Sequence, residues 1–305
     1  MKEIIIMVVL IVVLPFLIVN FVRPAEQSSI DRIELNTNDE TIVRVKRTET
    51  EEIQEIELYE YVFGVVAAEM PASFEIEALK AQAIASKNYV LRRINPERDY
   101  DVDDTVRFQV FRDNDQLKEK WGANFDKHSA RIRKAVEATR GEYLHYNGNM
   151  VNTLYFSTSN GYTENNINVF GSELTYLRGV ESAWDEKSTE ISRETTMTRT
   201  EFLRKLELTG ERINITNVRR SETGRVNHIT INGREFRGTE VRSSLGLRST
   251  DFRIIVNGND VNITTRGFGH GVGMSQHGAN GKAKAGYDYR AILQHYYPGS
   301  EIRRL

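Results

Sequence analysis

A single carboxylate, Glu69, ends the apolar run Gly64-Val65-Val66-Ala67-Ala68-Glu69-Met70-Pro71. Pro71 has no backbone N–H to donate and pushes Met70 out of the helical region, so a helix entering this run stops at Glu69. A carboxyl at a helix C-terminus faces the negative end of the macrodipole, and apolar neighbours desolvate it. Both influences favour the neutral acid, the state needed to donate a proton near neutral pH. Eleven residues on, Lys80 sits in Ala78-Leu79-Lys80-Ala81-Gln82-Ala83, where its ammonium could bind sugar hydroxyls or carboxylates, or tune Glu69. Ordinary glycosidases use two carboxylates, and no second one in this chain has a comparable setting. One acid suffices when the substrate brings its own nucleophile. The C6 hydroxyl of N-acetylmuramic acid can do so, closing a 1,6-anhydro ring without water.

A second candidate is Leu154-Tyr155-Phe156-Ser157-Thr158-Ser159-Asn160-Gly161. Small hydroxyl residues (Ser157, Thr158, Ser159) ending a strand beside an aromatic (Tyr155) suit a carbohydrate groove. The run is not the G-x-S-x-G elbow of a serine nucleophile. The third is Gly267-Phe268-Gly269-His270-Gly271-Val272-Gly273-Met274-Ser275-Gln276-His277-Gly278. So many glycines exclude a regular helix or strand and imply a loop that packs tightly or approaches a ligand, with His270 and Gln276 as its polar candidates. The spacing matches neither G-x-G-x-x-G nor a P-loop. Two histidines, His270 and His277, fall short of a metal ligand set, and no H-E-x-x-H occurs.

The elements that must carry these residues are an α+β mixture: helices with β-hairpins and small antiparallel sheets around a groove. Thr41 to Lys46 and Glu55 to Leu58 alternate as short strands. Tyr59 to Glu69 reads as a helix, and a second follows with Ser73 as N-cap and Ile76, Leu79, Ala83 and Val90 on one face. Asp101 to Arg112 is irregular and acidic. Lys127 to Thr139 forms a third helix, stopped at Gly141, and a strand runs from Met150 to Ser157. Asn147-Gly148, Asn232-Gly233 and Asn257-Gly258 signal hairpins. Residues from about Asp185 to Ile263, with a Thr198/Glu201 capping box, read as an inserted lobe. A last helix, Tyr289 to Tyr297, is capped by Asp288 and stopped by Pro298-Gly299.

The 305-residue chain has no cysteine, which excludes disulfides and thiolate chemistry, and its 41 basic and 43 acidic residues give no basic block for nucleic acid. Ile4 to Val22 is apolar but for Pro15 and Asn20. Its nineteen residues would span about 28 Å, close to a bilayer core. Without a small-x-small cleavage site, residues 1–24 read as an uncleaved signal-anchor that places the domain outside the membrane. Residues 25–40 read as a tether, and 41–305 as the functional domain.

Together, Val65 to Ala72, Ala78 to Ala83, Tyr155 to Ser159, Leu245 to Phe252, Gly267 to Gly278 and Tyr296-Tyr297-Pro298-Gly299 resemble the stage II sporulation protein D family. The resemblance implies a membrane-anchored lytic transglycosylase that cleaves the β-1,4 bond between N-acetylmuramic acid and N-acetylglucosamine in peptide-free peptidoglycan. It further implies 1,6-anhydro products and septal wall remodelling during forespore engulfment. The implied partners are glycan strands and stage II sporulation proteins P (amidase/endopeptidase) and M. Glu69 falls on the family's catalytic glutamate and Lys80 on a lysine of its site, while Tyr155, Ser157 and the His270 loop carry over as substrate contacts. Some members hold zinc through Cys and His after the second helix; Asp103 to Gln109 has neither, so neither metal nor cofactor is expected. Two rival readings are a non-catalytic wall-binding activator of a partner amidase and a His-dependent metallo-hydrolase.

Overall fold

The structure, a computed structural model, describes residues 41–188 and 191–304. The Ile4–Val22 run and the 25–40 tether lie outside the described residues. Among those that are described, no helix is long and apolar enough to cross a membrane.

Strand β1 (Ile42–Lys46) alternates buried and open positions and pairs antiparallel with β2 (Ile53–Glu57). The chain leaves β2 directly into α1 (Leu58–Glu69), whose residues from Tyr61 to Ala67 are all buried, and then enters α2 (Ile76–Leu91). Ser73 does not cap α2. Glu75 occupies that position without a side-chain bond, and its N–H is taken by Asn280 Oδ1 at 2.8 Å, a partner 205 residues away. Strand β3 (Val102–Asp103) joins β1 in parallel. Helix α3 (Asn114–Trp121) starts in a capping box built on Asp113 and Gln116, and α4 (Phe125–Ala138) packs on both α1 and α2.

Asn147 and Gly148 adopt φ of 50° and 82° and turn β4 (Glu142–Tyr146) into β5 (Asn149–Met150), as a type I′ hairpin requires. The strand expected from Met150 to Ser157 is instead broken. After β5 the backbone leaves the ladder, and only β6 (Tyr155–Phe156) pairs again, in parallel and in another sheet. Short helix α5 (Asn166–Phe170) follows.

The region of the expected lobe holds β7 (Ser192–Thr198), α6 (Arg199–Lys205), β8 (Ile215–Arg220), β9 (Val226–Ile231), β10 (Arg234–Arg237), α7 (Gly238–Leu245), β11 (Asp251–Asn257) and β12 (Asp260–Arg266). They form two three-stranded antiparallel sheets, β11-β12-β7 and β10-β9-β8. Between them lies a hydrophobic cluster running from Met197 to Ile263 that includes Phe202, Ile231, Phe236 and Phe252.

After the lobe, β13 (Met274–Ser275) pairs with β6, and α8 (Gln276–Lys284) and α9 (Tyr289–Tyr296) follow. Strand β14 (Glu301–Arg304) closes on β4. The glycine-rich stretch is therefore not loop throughout: a regular helix starts at Gln276. Its glycines serve close packing. A Cβ on Gly278 would fall 2.2 Å from the Tyr296 hydroxyl, and one on Gly273, at φ +78°, would fall 2.0 Å from the Leu154 carbonyl. The architecture is α+β, although β1–β3 and β6–β13 are parallel where antiparallel pairing was expected throughout.

Candidate active site

Glu69 is the last residue of α1. Met70 turns extended (φ −118°, ψ 144°) while its N–H still reaches Val66 O, so the helix stops where Pro71 demands. The Val110 N–H donates to Glu69 Oε1 at 3.0 Å, and the Gln276 side chain also hydrogen-bonds the carboxyl. Burial pushes the Glu69 carboxyl above its ordinary value. The Val110 N–H, the Gln276 bond and the charge of Lys120 oppose this without cancelling it. Lys120 Nζ, from α3, binds the carbonyls of Ala67 and Ala68 at 3.0 and 3.2 Å. It thus caps the helix end on which Glu69 sits.

The donor at Val110 depends on Gly64. Residues 109–112 cross α1 at this glycine so closely that a Cβ there would lie 2.3 Å from the Phe111 ring and 2.6 Å from the Arg112 carbonyl. Phe111 stacks on Tyr61 at 5.5 Å between ring centroids. The segment read as irregular and acidic is thus a strap that presents a backbone N–H to the acid.

A chain of polar groups runs behind the carboxyl. Gln276 Nε2 approaches Gln82 Oε1 at 3.5 Å, and Gln82 Nε2 donates to Ser86 Oγ at 3.1 Å. Ser86 hydrogen-bonds the Tyr155 phenol, whose ionisation burial pushes far out of reach. Gln109 Nε2 donates to the same phenol at 2.8 Å, and its Oε1 accepts from the Tyr61 hydroxyl at 3.2 Å. Gln82 and Ser86, one helical turn apart on α2, are fully buried. This network links α2, β6, α8 and the strap around Glu69, and such a network fixes its members' positions when every group is satisfied.

Lys80 is not part of it. Its ammonium pairs with Glu77 Oε1 at 2.7 Å on the same helix and sits over the Tyr289 ring at 5.3 Å, where α2 meets α9. The cation beside Glu69 is Lys120. Sequence reasoning missed it because a lysine on a polar helix carries no local signal.

The expected serine–threonine turn divides. Ser157 is partly open, its hydroxyl bonded to Thr158 Oγ1 at 3.1 Å and its carbonyl held by the His277 N–H at 3.0 Å. Thr158 is buried and bridges to Phe268. Ser159 faces inward. Its N–H and hydroxyl bind the fully buried Asp185 at 3.0 and 2.8 Å, a carboxylate that also accepts from Ser182 and Ser275 at 2.6 Å each. Since Ser275 caps α8, Asp185 fastens the turn to the helix that carries Gln276.

His270 packs among aromatic rings. Its Nδ1 accepts from the Val272 N–H at 3.0 Å and its ring lies between Phe156 and Phe170. Burial holds it neutral, down to about 4. His277 meets the edge of Phe74, on the turn after Pro71, and its Nδ1 contacts Ser188 at 3.1 Å. Among the described residues no three His, Cys, Asp or Glu side chains stand together as a metal ligand set. Glu69, Gln276 and Tyr155 thus come from three elements, α1, α8 and β6, with Ser157 directly after β6, whereas Lys80, Ser159 and His270 make other contacts.

The profile of a family described as "Stage II sporulation protein" matches residues 46–146. "Stage II sporulation protein D" of Bacillus amyloliquefaciens is 42% identical over 268 residues, covering 85% of this chain and 78% of that protein. The protein of the same name from Bacillus subtilis (strain 168) is 41% identical over 271 residues, with the same coverage. This chain belongs to the stage II sporulation protein D family. A more distant relative, the "Amidase enhancer" of Bacillus subtilis (strain 168), is 28% identical over 295 residues, 78% of this chain but 40% of that protein. The stage II sporulation protein profile spans Glu69, Gln82, Ser86, Gln109, Val110 and Lys120; Tyr155, Ser157 and Gln276 lie beyond it.

Proposed function

We propose that this protein is a lytic transglycosylase that cleaves the N-acetylmuramic acid–N-acetylglucosamine bond of peptide-free peptidoglycan, with Glu69 as sole acid and base. The observation that carries the reading is a carboxyl whose hold on its proton burial strengthens, while two hydrogen-bond donors point at it. Neutral Glu69 donates its proton to the glycosidic oxygen as positive charge develops at the sugar carbon. The carboxylate so formed is received by the Val110 N–H and Gln276, with Lys120 nearby, and these groups stabilise it without rearranging. It then takes the proton of the C6 hydroxyl as that oxygen closes the anhydro ring, which returns Glu69 to its starting state. Ser157, partly open and directly after β6, would meet sugar hydroxyls.

Membership of the sporulation family supports a place in septal wall remodelling at engulfment. The apolar 4–22 run supports an anchored protein acting outside the membrane, alongside stage II sporulation proteins P and M. The test is mass spectrometry of sugars released from purified peptide-free glycan. Wild type should yield 1,6-anhydro ends and Glu69→Gln none. The 28% identical amidase enhancer favours a second reading, a non-catalytic activator. That reading expects no anhydro ends from wild type and a rise in partner amidase output that Glu69→Gln leaves unchanged.

A further inference from the structure

After β3 the strap forms a loop closed at its base, where the Phe111 N–H donates to the Asp104 carbonyl at 3.3 Å. One end of the loop is fastened by Arg47 and Thr48, which hold the Asp104 carboxylate at 3.0 and 2.7 Å. The other end rests on α1 through the stack of Phe111 on Tyr61. Between them, from Thr105 to Val110, one residue is buried: Gln109, at 1% exposure, against 89% for Val106 at the tip. An aliphatic side chain could fill the same space, and a buried carboxamide costs free energy unless it is bonded. This one is bonded at both ends. The Tyr61 hydroxyl of α1 donates to its Oε1, and its Nε2 donates to the Tyr155 oxygen of β6. Apolar filling fixes only volume, whereas a donor and an acceptor on the two ends of an amide also fix its direction. The residue so fixed directly precedes Val110, whose N–H donates to Glu69. Burial pushes both phenols further above the range in which a carboxyl titrates, so this anchor keeps its protons while Glu69 exchanges its own.

We propose that Gln109 is a positioning residue: its carboxamide, pinned between the Tyr61 and Tyr155 hydroxyls, sets the distance and direction of the Val110 N–H at the Glu69 carboxyl. The role rests on the proposed function and deepens it, since that N–H receives the carboxylate formed when Glu69 gives up its proton. Glu69 ends its own helix, so this donor has to be brought from another segment of the chain. The Val110 bond favours the ionised carboxyl and works against burial. A strap held in place therefore eases proton release. A strap that drifts leaves the acid gripping its proton and its carboxylate one donor short. Because the two phenols belong to α1 and β6, the amide also ties the donor to the elements that carry Glu69 and lead into Ser157.

The test uses the full-length chain in detergent with isotope-labelled glutamate. The Glu69 carboxyl is titrated directly by NMR and identified by the signal that Glu69→Gln removes. Gln109→Leu deletes both amide bonds at similar size. Tyr61→Phe deletes one and keeps the ring that stacks on Phe111. In each variant Glu69 should titrate at higher pH than in wild type, with the larger shift in Gln109→Leu. Release of 1,6-anhydro ends from peptide-free glycan, at matched folded fraction, should show kcat about tenfold or more lower in Gln109→Leu with KM little changed. A residue that only fills space would lower the melting point and leave the carboxyl titrating as before. Glu69 unmoved in both variants, or moved downward because the strap has opened to water, overturns the positioning role and leaves the proposed reaction standing. Tyr61→Phe carries the test if Gln109→Leu does not fold. An upward shift in the variants, when wild type releases no anhydro sugar, supports the positioning role and overturns the reaction.

Discussion

Replacing Glu69 by Gln should make this protein more stable at neutral pH even as it abolishes cleavage. The native surroundings raise the carboxyl above its ordinary value of 4.5, with burial as the largest cause. A group whose native pKa lies above its unfolded one supports folding fully at pH below the unfolded value. That support is lost as pH rises through the native value. Each unit between the two costs the folded state about 1.4 kcal/mol at higher pH. Glutamine mimics the protonated acid, can still accept from the Val110 N–H, and never ionises. For a domain of this size 1 kcal/mol moves the melting point by about 2–4 °C. Melting curves of the two proteins should therefore nearly coincide at pH 4 and draw apart as the pH rises to 7.5, the variant melting higher. A variant that melts no higher at pH 7.5, or a gap that is the same at pH 4, would refute the claim that Glu69 is kept uncharged at a cost to the fold.

Gly64→Ala should drive the Phe111 ring and the Arg112 carbonyl off α1, costing about 1–3 kcal/mol by overpacking. Removal of the Val110 donor should also lower turnover beyond any loss of folded protein, measured by anhydro-sugar release at matched folded fraction. Gln276→Leu deletes a bond that favours the ionised carboxyl, so Glu69 should hold its proton to higher pH. The basic limb of the kcat profile should move upward while kcat itself falls about tenfold or more. Asp185→Ala leaves the Ser159, Ser182 and Ser275 hydroxyls without their buried acceptor and should destabilise by about 3 kcal/mol or more. Asp185→Asn keeps the shape and should recover part of this in urea unfolding.

What the sequence made legible was local. Pro71 ends α1 within two residues of the acid, and each Asn-Gly pair sits at a turn between paired strands. The parts that stayed hidden are those where a residue answers to a distant neighbour. Gly64 had no reason to lie inside a helix until the strap crossed it. A mid-helix glycine in an otherwise apolar run was the one signal that another backbone passes there. In Ala78 to Ser86 the charge of Lys80 outweighed the quieter pair Gln82 and Ser86. Two uncharged polar residues one turn apart on the buried face of an alanine-rich helix are the costlier feature, because each must find partners inside the protein. Lys80 needs only Glu77 and water. The same reasoning explains the glycine stretch. Glycine count argues against helix by propensity, but Gly278 and Gly281 are where α8 touches Tyr296, Asp185 and Trp184, and tertiary packing overrides a propensity difference of about 1 kcal/mol. Ser157 and Ser159 differ most instructively: same residue type, two positions apart, one partly open to the site and the other tied to a buried carboxylate. Nothing in their order distinguishes them. Asp185, 26 residues from Ser159, decides which hydroxyl is tied down inside the protein.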